Sequence, residues 1–182
     1  MDISKINNIN IMPIEFIDFE QPVHPERLWC LARIKDKFGD DYKDYVILDL
    51  GCGAHKSDES FFGVDVRELS GVNYVSSIDD MSNLDDGFAN AIVSRHSLEH
   101  LVDTVKTLNE WVRVLQLDGK IIIILPDHEF IDTMDPMLSG NVHMHAFTRE
   151  SFRNLVTALG FTVELLETVI EGWSFGAVIN KP

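Results

Sequence analysis

Cationic side chains are scarce in this chain. Lys and Arg number 15 against 30 Asp and Glu, a formal net charge of −15 over 182 residues. No Lys/Arg cluster interrupts that acidity. Nucleic-acid binding rests on neutralising phosphates, so the charge argues against DNA or RNA and favours a small molecule or a protein partner. Cysteine is scarcer still: Cys30 and Cys52 are too few for a disulfide framework and are expected as reduced thiols. No apolar run approaches the length of a membrane span. Met1 to Asn10 are polar and lack a signal-peptide pattern, so the cytoplasm is the expected location. Repeats, linkers and low-complexity tracts are missing too. The length suits one domain over 1–182, with an N-terminal segment and helix at 1–44 and a sheet core at 45–182.

What is present is apolar material, 45% of residues, arranged as alternating strands and helices. Residues 1–23 are polar and Asn-rich, then apolar-acidic from Ile14 to Glu20. Pro25 occupies a first helical position, and Leu28, Leu31, Ala32, Ile34 and Phe38 follow at helical spacing up to Gly39. Strands are predicted at 45–50, 61–66, 73–77 and 89–94. A helix follows with Leu101, Val105, Leu108, Val112 and Leu115 on one face. Asp118-Gly119 is predicted to turn the chain into Ile121–Leu125, whose unbroken aliphatic character marks a central parallel strand. Thr148 can cap a helix carrying Phe152, Leu155, Val156 and Leu159, closed by Gly160. The last two strands, 161–168 and 173–179, are joined by Glu171-Gly172, a link short enough to require antiparallel pairing. The expected fold class is α/β: a Rossmann-like, doubly wound sheet, mostly parallel, with one antiparallel strand near the edge.

Residues 46–53 read Val-Ile-Leu-Asp-Leu-Gly-Cys-Gly, and Asp65 stands twelve positions beyond the last glycine. An apolar strand entering a glycine turn, with an acid closing the next strand, is how an α/β sheet holds a nucleoside. Glycine lets the backbone approach the ligand, and the acid accepts hydrogen bonds from ribose hydroxyls. Further segments follow in order: Gly-Val-Asp-Val at 63–66, Ile-Asp-Asp-Met at 78–81, and Ser-Arg-His-Ser-Leu-Glu-His-Leu at 94–101. His-Ala-Phe-Thr at 145–148 and Ala-Leu-Gly-Phe at 158–161 complete the set.

From residue 46 to about 165 the chain resembles the class I S-adenosylmethionine-dependent methyltransferases of the small-molecule type. The resemblance implies S-adenosylmethionine as cofactor. It implies Asp49, Gly51, Cys52 and Gly53 around the methionine part, Asp65 on the ribose, and Val66 on the adenine. Asp80 or Asp79 would take the adenine amino group, Met81 would lie against the ring, and Arg95 and His96 would lie beside the sulfonium. A subset of the family with a closely spaced Gly-Cys-Gly and Gly-Val-Asp looks similar and accompanies surface-sugar pathways, which implies a sugar or other metabolite as acceptor. The cofactor has no pyrophosphate and carries two cationic groups, so an acidic pocket suits it. The chain departs from the family pattern in one place. Only residues 51–60 separate the first two strands, without an apolar stripe, so no full helix is expected there.

Methyl transfer needs a positioned nucleophile, and a hydroxyl or ammonium acceptor also needs a base. The candidates are His96, His128, His143 and His145, with Asp127 beside them; His143, His145 and His96 are the leading three. His100 reads as structural. The connection 127–147, with Met134, Pro136, Met137 and Met144, follows the central strand and is expected to wall the acceptor site. No metal is expected at His128, His143 and His145, because their spacing is not diagnostic. Two competing readings are a methyltransferase-like module that binds cofactor or partner without turnover, and a nicotinamide-dependent oxidoreductase. The second expects a third glycine, which Ala54-His55-Lys56 does not supply.

Overall fold

Pro25 fixes a helical φ without forfeiting a needed donor, and α1 runs Pro25–Phe38 with Glu26 in its first turn and Lys35 and Lys37 in its last. The computed structural model describes residues 24–135, 137 and 142–182. The polar start at 1–23 and Pro136 lie outside them. A short 3₁₀ turn, Gly39–Asp44, leads into β1 (Ile47–Leu50). Then come β2 (Phe62–Asp65), β3 (Val72–Val75) and β4 (Ala89–Arg95). A 3₁₀ turn at Leu98–His100 precedes α2 (Thr104–Val114), whose N-cap Asp103 accepts from Lys106 N. Next are β5 (Leu115–Pro126), α3 (Arg149–Ala158), β6 (Thr162–Ile170) and β7 (Ser174–Asn180). Thr148 caps α3 through a capping box with Ser151.

The seven strands form one sheet in the order β3-β2-β1-β4-β5-β7-β6. Pairings from β3 across to β5 are parallel, while β7 runs antiparallel to both β5 and β6. Alternating residues of β5 serve two cores. Ile121 and Ile123 join Leu108 and Trp111 of α2 and Phe152 and Val156 of α3. Ile122 and Ile124 join Cys30 and Ile34 of α1 on the other face. Both cysteines are free, as expected. No described helix is long and apolar enough to cross a membrane.

Two boundaries move. Leu101 lies before α2 and Leu115 begins β5, so the helix is shorter than its apolar spacing suggests. Asp118-Gly119 makes no free turn. Leu115 pairs with Ala89 and Lys120 with Ala91, so the extra residues form an irregularity at the start of β5.

The first crossover, 51–61, contains no helix among its described residues. Side chains take over the packing role of one. Asp49 accepts from Ser57 N, and Lys56 donates through Nζ to the carbonyls of Glu59 and Phe61, each at 2.9 Å. Arg95 donates to His55 O at 2.7 Å and to Ser57 Oγ at 2.9 Å.

Candidate active site

Strand order reverses at β1, with β2 on one side and β4 on the other, and the crevice beyond the strand ends is where such sheets bind ligands. A cleft of about 430 Å³ opens there. Gly51, Asp65, Val66, Ile78, His96 and Ser97 belong to its wall, with Arg67, Ser77, His100 and Leu101. Gly51 has φ 69°, and a Cβ on it would lie 2.1 Å from Ser97 Oγ, so only glycine keeps this wall open. Gly53, at φ 57°, turns its N–H to Asp65 Oδ2 at 2.8 Å. Arg67 donates to Asp65 Oδ1 from its backbone N (3.0 Å) and from Nε (3.1 Å). Burial alone would raise the Asp65 pKa, but these hydrogen bonds and the Arg67 charge outweigh it and hold the carboxyl below its ordinary range.

Other predicted residues stand behind the cleft. Asp49 is wholly buried, and that burial raises its pKa despite the charge of Arg95. Its role is to hold the 51–60 loop through Ser57. Cys52 is buried beneath the loop, and desolvation pushes its thiol up to about 11. Arg95 reaches back to the same loop at His55 and Ser57. Asp79 accepts from Ser77 Oγ and, at 2.9 Å, from Lys106 Nζ. Asp80 is exposed. Met81 is fully buried in the core, so the aliphatic faces left toward the cleft are Val66, Ile78 and Leu101.

His96 ends β4 with φ 48°, a conformation that non-glycine residues adopt rarely and mostly at functional sites. Its N–H bonds Ile124 O at 3.0 Å. Its Nε2 donates to Glu26 Oε1 at 2.9 Å, and Ser174 Oγ donates to the same oxygen at 2.6 Å. Its Nδ1 lies 3.7 Å from Glu99 Oε1. Burial pulls the imidazole pKa down, but the hydrogen bond to Glu26 and the charges of Glu26 and Glu99 overcome that and raise it to about 9. Burial likewise works to raise Glu26, yet His96 and Ser174 hold it below the usual carboxylate range. His96 is therefore a cation at neutral pH, paired between two acids. As a cation it would have to give up a proton before it could accept one.

The remaining histidines separate. His100 donates from Nδ1 to Val142 O at 3.0 Å, and its ring meets that of His143 edge-on at 4.6 Å. Burial lowers the His143 pKa, and its Nδ1 is buried and unpartnered among the described residues. His145 donates from Nε2 to Val102 O at 3.2 Å. His128 accepts at Nδ1 from Thr133 N, and Asp127 pairs with Arg149, 3.3 Å away. Glu99 O accepts from Met144 N (2.8 Å) and His145 N (3.1 Å), which brings 142–147 against the end of the cleft. Sequence reasoning passed over Glu26, Glu99, Ser97 and Ile78. Glu99 stood inside the Leu-Glu-His-Leu segment, whereas nothing local marks Glu26.

A family profile described as a methyltransferase domain matches residues 26–166. The chain belongs to the methyltransferase-domain family. Solved structures share its fold. An S-adenosylmethionine-dependent methyltransferase from Aquifex aeolicus is 19% identical, with 88% of this chain and 93% of that one covered at a TM-score of 0.65. A possible histamine N-methyltransferase from Thermotoga maritima is 16% identical, with 86% and 89% covered at 0.67. The 1,6-didemethyltoxoflavin-N1-methyltransferase of Burkholderia thailandensis, solved with 1,6-didemethyltoxoflavin and S-adenosylhomocysteine, is 15% identical, with 86% and 78% covered at 0.66. No curated protein matches the chain. By family this is a methyltransferase domain, on a fold shared with enzymes whose cofactor is S-adenosylmethionine. The cleft suits that cofactor: a glycine-lined wall that any Cβ would close, a carboxylate beside it held ionised, and no Lys in the wall.

Proposed function

We propose that this methyltransferase acts on a small-molecule acceptor that binds where the cleft meets the segment 142–147. Bound S-adenosylmethionine supplies a methyl group already activated by a sulfonium. Asp65 would accept the ribose hydroxyls, with Arg67 moving aside or sharing Oδ1. The backbone at Gly51 and Gly53 would flank the methionine part, and Val66 and Ile78 would pack on the adenine. Asp79 is held by Lys106, which leaves Asp80 for the amino group. His143, partly buried, would be the base at the acceptor end, and His145 would help to shape that wall. The Burkholderia neighbour, which holds a small ligand and S-adenosylhomocysteine, supports this reading as a protein of like fold.

One observation carries the proposal: the Gly51–Asp65 cleft lies at the strand-order reversal. Calorimetry with S-adenosylhomocysteine tests the cofactor half. Asp65→Ala should weaken binding by about 1.5–3 kcal/mol, through loss of hydrogen bonds to a charged acceptor. Unchanged affinity would remove Asp65 from the ribose. Incubation with methyl-labelled S-adenosylmethionine and a metabolite extract tests the acceptor half; label found in protein alone would refute a small-molecule acceptor.

A further inference from the structure

We propose that Glu99, His100 and His143 form a site for a divalent transition-metal ion at the acceptor end of the cleft. Each offers one ligand atom, and these atoms lie within 4.8 Å of one another. The Glu99 side chain is 1% exposed, and neither of its oxygens has a hydrogen-bond partner among the described residues. A carboxylate buried in that way is costly unless a cation compensates it. The nearest cation, His96, stands 3.7 Å off at Nδ1, beyond hydrogen-bond length, with its Nε2 bonded to Glu26.

The two histidines are oriented as ligands. His100 spends its Nδ1 hydrogen on Val142 O, which leaves the Nε2 lone pair facing Glu99 Oε1 at 4.0 Å. A carbonyl fixing the far nitrogen is how metal-binding imidazoles are commonly held. His143 brings a third unpartnered atom, the buried Nδ1. The segment that carries it is pinned to Glu99 by the hydrogen bonds from Met144 and His145. The set is thus preorganised from two stretches of chain more than forty residues apart, which is why the histidine spacing gave no sign of it. His128 and His145, the other members of the set considered from sequence, bond elsewhere.

One carboxylate and two imidazoles suit zinc, manganese or cobalt, with coordination positions left open. Adjacent ligands at bond lengths of about 2.1 Å sit roughly 3–3.5 Å apart, so closure needs ring movements of about an ångström. His100 and Leu101 line the cleft, so the open positions face the acceptor. A hydroxyl oxygen of the acceptor would take one of them and release its proton to solvent water, and with the ion bound His143 would serve as ligand in place of base. That last point rests on the function proposed above; the ion site does not.

Chelator-treated protein should be titrated with Co²⁺, followed by visible absorption and calorimetry, with S-adenosylhomocysteine binding measured on the same samples. One equivalent should bind, and Glu99→Gln or His143→Gln should each weaken it tenfold or more. In the unmodified protein, Zn²⁺ should shift the ring resonances of His100 and His143 and leave those of His55 in place. The proposal is overturned if the wild type takes up no saturable ion, if Glu99→Gln and His143→Gln both bind Co²⁺ as well as wild type, or if Zn²⁺ leaves both rings unmoved. The S-adenosylhomocysteine measurement registers failure of the methyl-transfer reading separately from failure of the ion site.

Discussion

At the nucleoside end of the cleft, Asp65 is nearly buried yet accepts from Gly53 N, Arg67 N and Arg67 Nε, and Asp79 is held by Ser77 and Lys106. At the acceptor end, Glu99 is as deeply buried and accepts no hydrogen bond from the described residues. His143 beside it keeps a nitrogen with no partner among the described residues. The first end is finished by the protein itself, and its donors already point where they must. The second end keeps binding capacity that the described residues do not use. Preorganisation without reorganisation is worth most where the ligand is the same in every turnover. Open capacity belongs where an acceptor, or an ion that holds it, completes the site.

The sharpest way to break this contrast is to damage the finished end. Gly51→Ala forces a side chain into a left-handed φ and onto Ser97 Oγ. It should lower stability by about 2–4 kcal/mol, the sum of a strained backbone and an overpacked contact, as read by urea unfolding. Adding Ser97→Gly should restore the overpacking share and leave the backbone share. Full recovery would mean that φ at Gly51 carries no strain.

Next in size is the pH response of His96. Its folded pKa, about 9, exceeds the ordinary 6.5. The stabilisation is therefore complete below pH 6.5 and is lost as pH rises through 9. His96→Asn keeps a residue tolerant of positive φ and should flatten the decline of stability between those limits. A wild-type profile that is already flat there would remove the imidazolium from between Glu26 and Glu99. The smallest effect concerns Arg67, whose side chain is 65% exposed. It competes for Asp65 across a solvent-screened ion pair. Arg67→Ala should leave S-adenosylhomocysteine affinity unchanged or improve it by up to about fivefold. A tenfold loss in calorimetry would show that Arg67 binds the ligand rather than competing with it.

Much of the architecture was legible because its causes are local. Gly51 and Asp65 sit within one strand–turn–strand unit, so their spacing could be read directly. The short β1–β2 link followed from counting residues. The capping box at Thr148 and the Glu171-Gly172 turn are neighbours in sequence. What escaped was set by distant partners. Met81 looked free to face a ligand, but its N–H bonds Glu110 and its carbonyl accepts from Arg113, which clamps 81–84 onto α2 and turns the side chain inward. Glu26 lies 70 residues from His96, and no periodicity in α1 signals that pairing. Nor does the sequence signal that two carboxylates from separate elements raise the His96 pKa.

The helix-free crossover between β1 and β2 also bears on how the chain finds its fold. Leu48 pairs with Phe62, and Gly63 with Val72, whereas Ile47 must wait for Ala91 to reach its other neighbour. Loop closure grows with the logarithm of the intervening length, so the β1–β2 contact is cheaper than β1–β4 by about 1 kcal/mol. Parallel sheets ordinarily form slowly because every pairing spans a whole helix. Here the three strands that hold the nucleoside end meet through local contacts. That end can assemble as an early ribbon on which β4 and β5, bringing His96 and the histidine-bearing segment with them, dock afterwards.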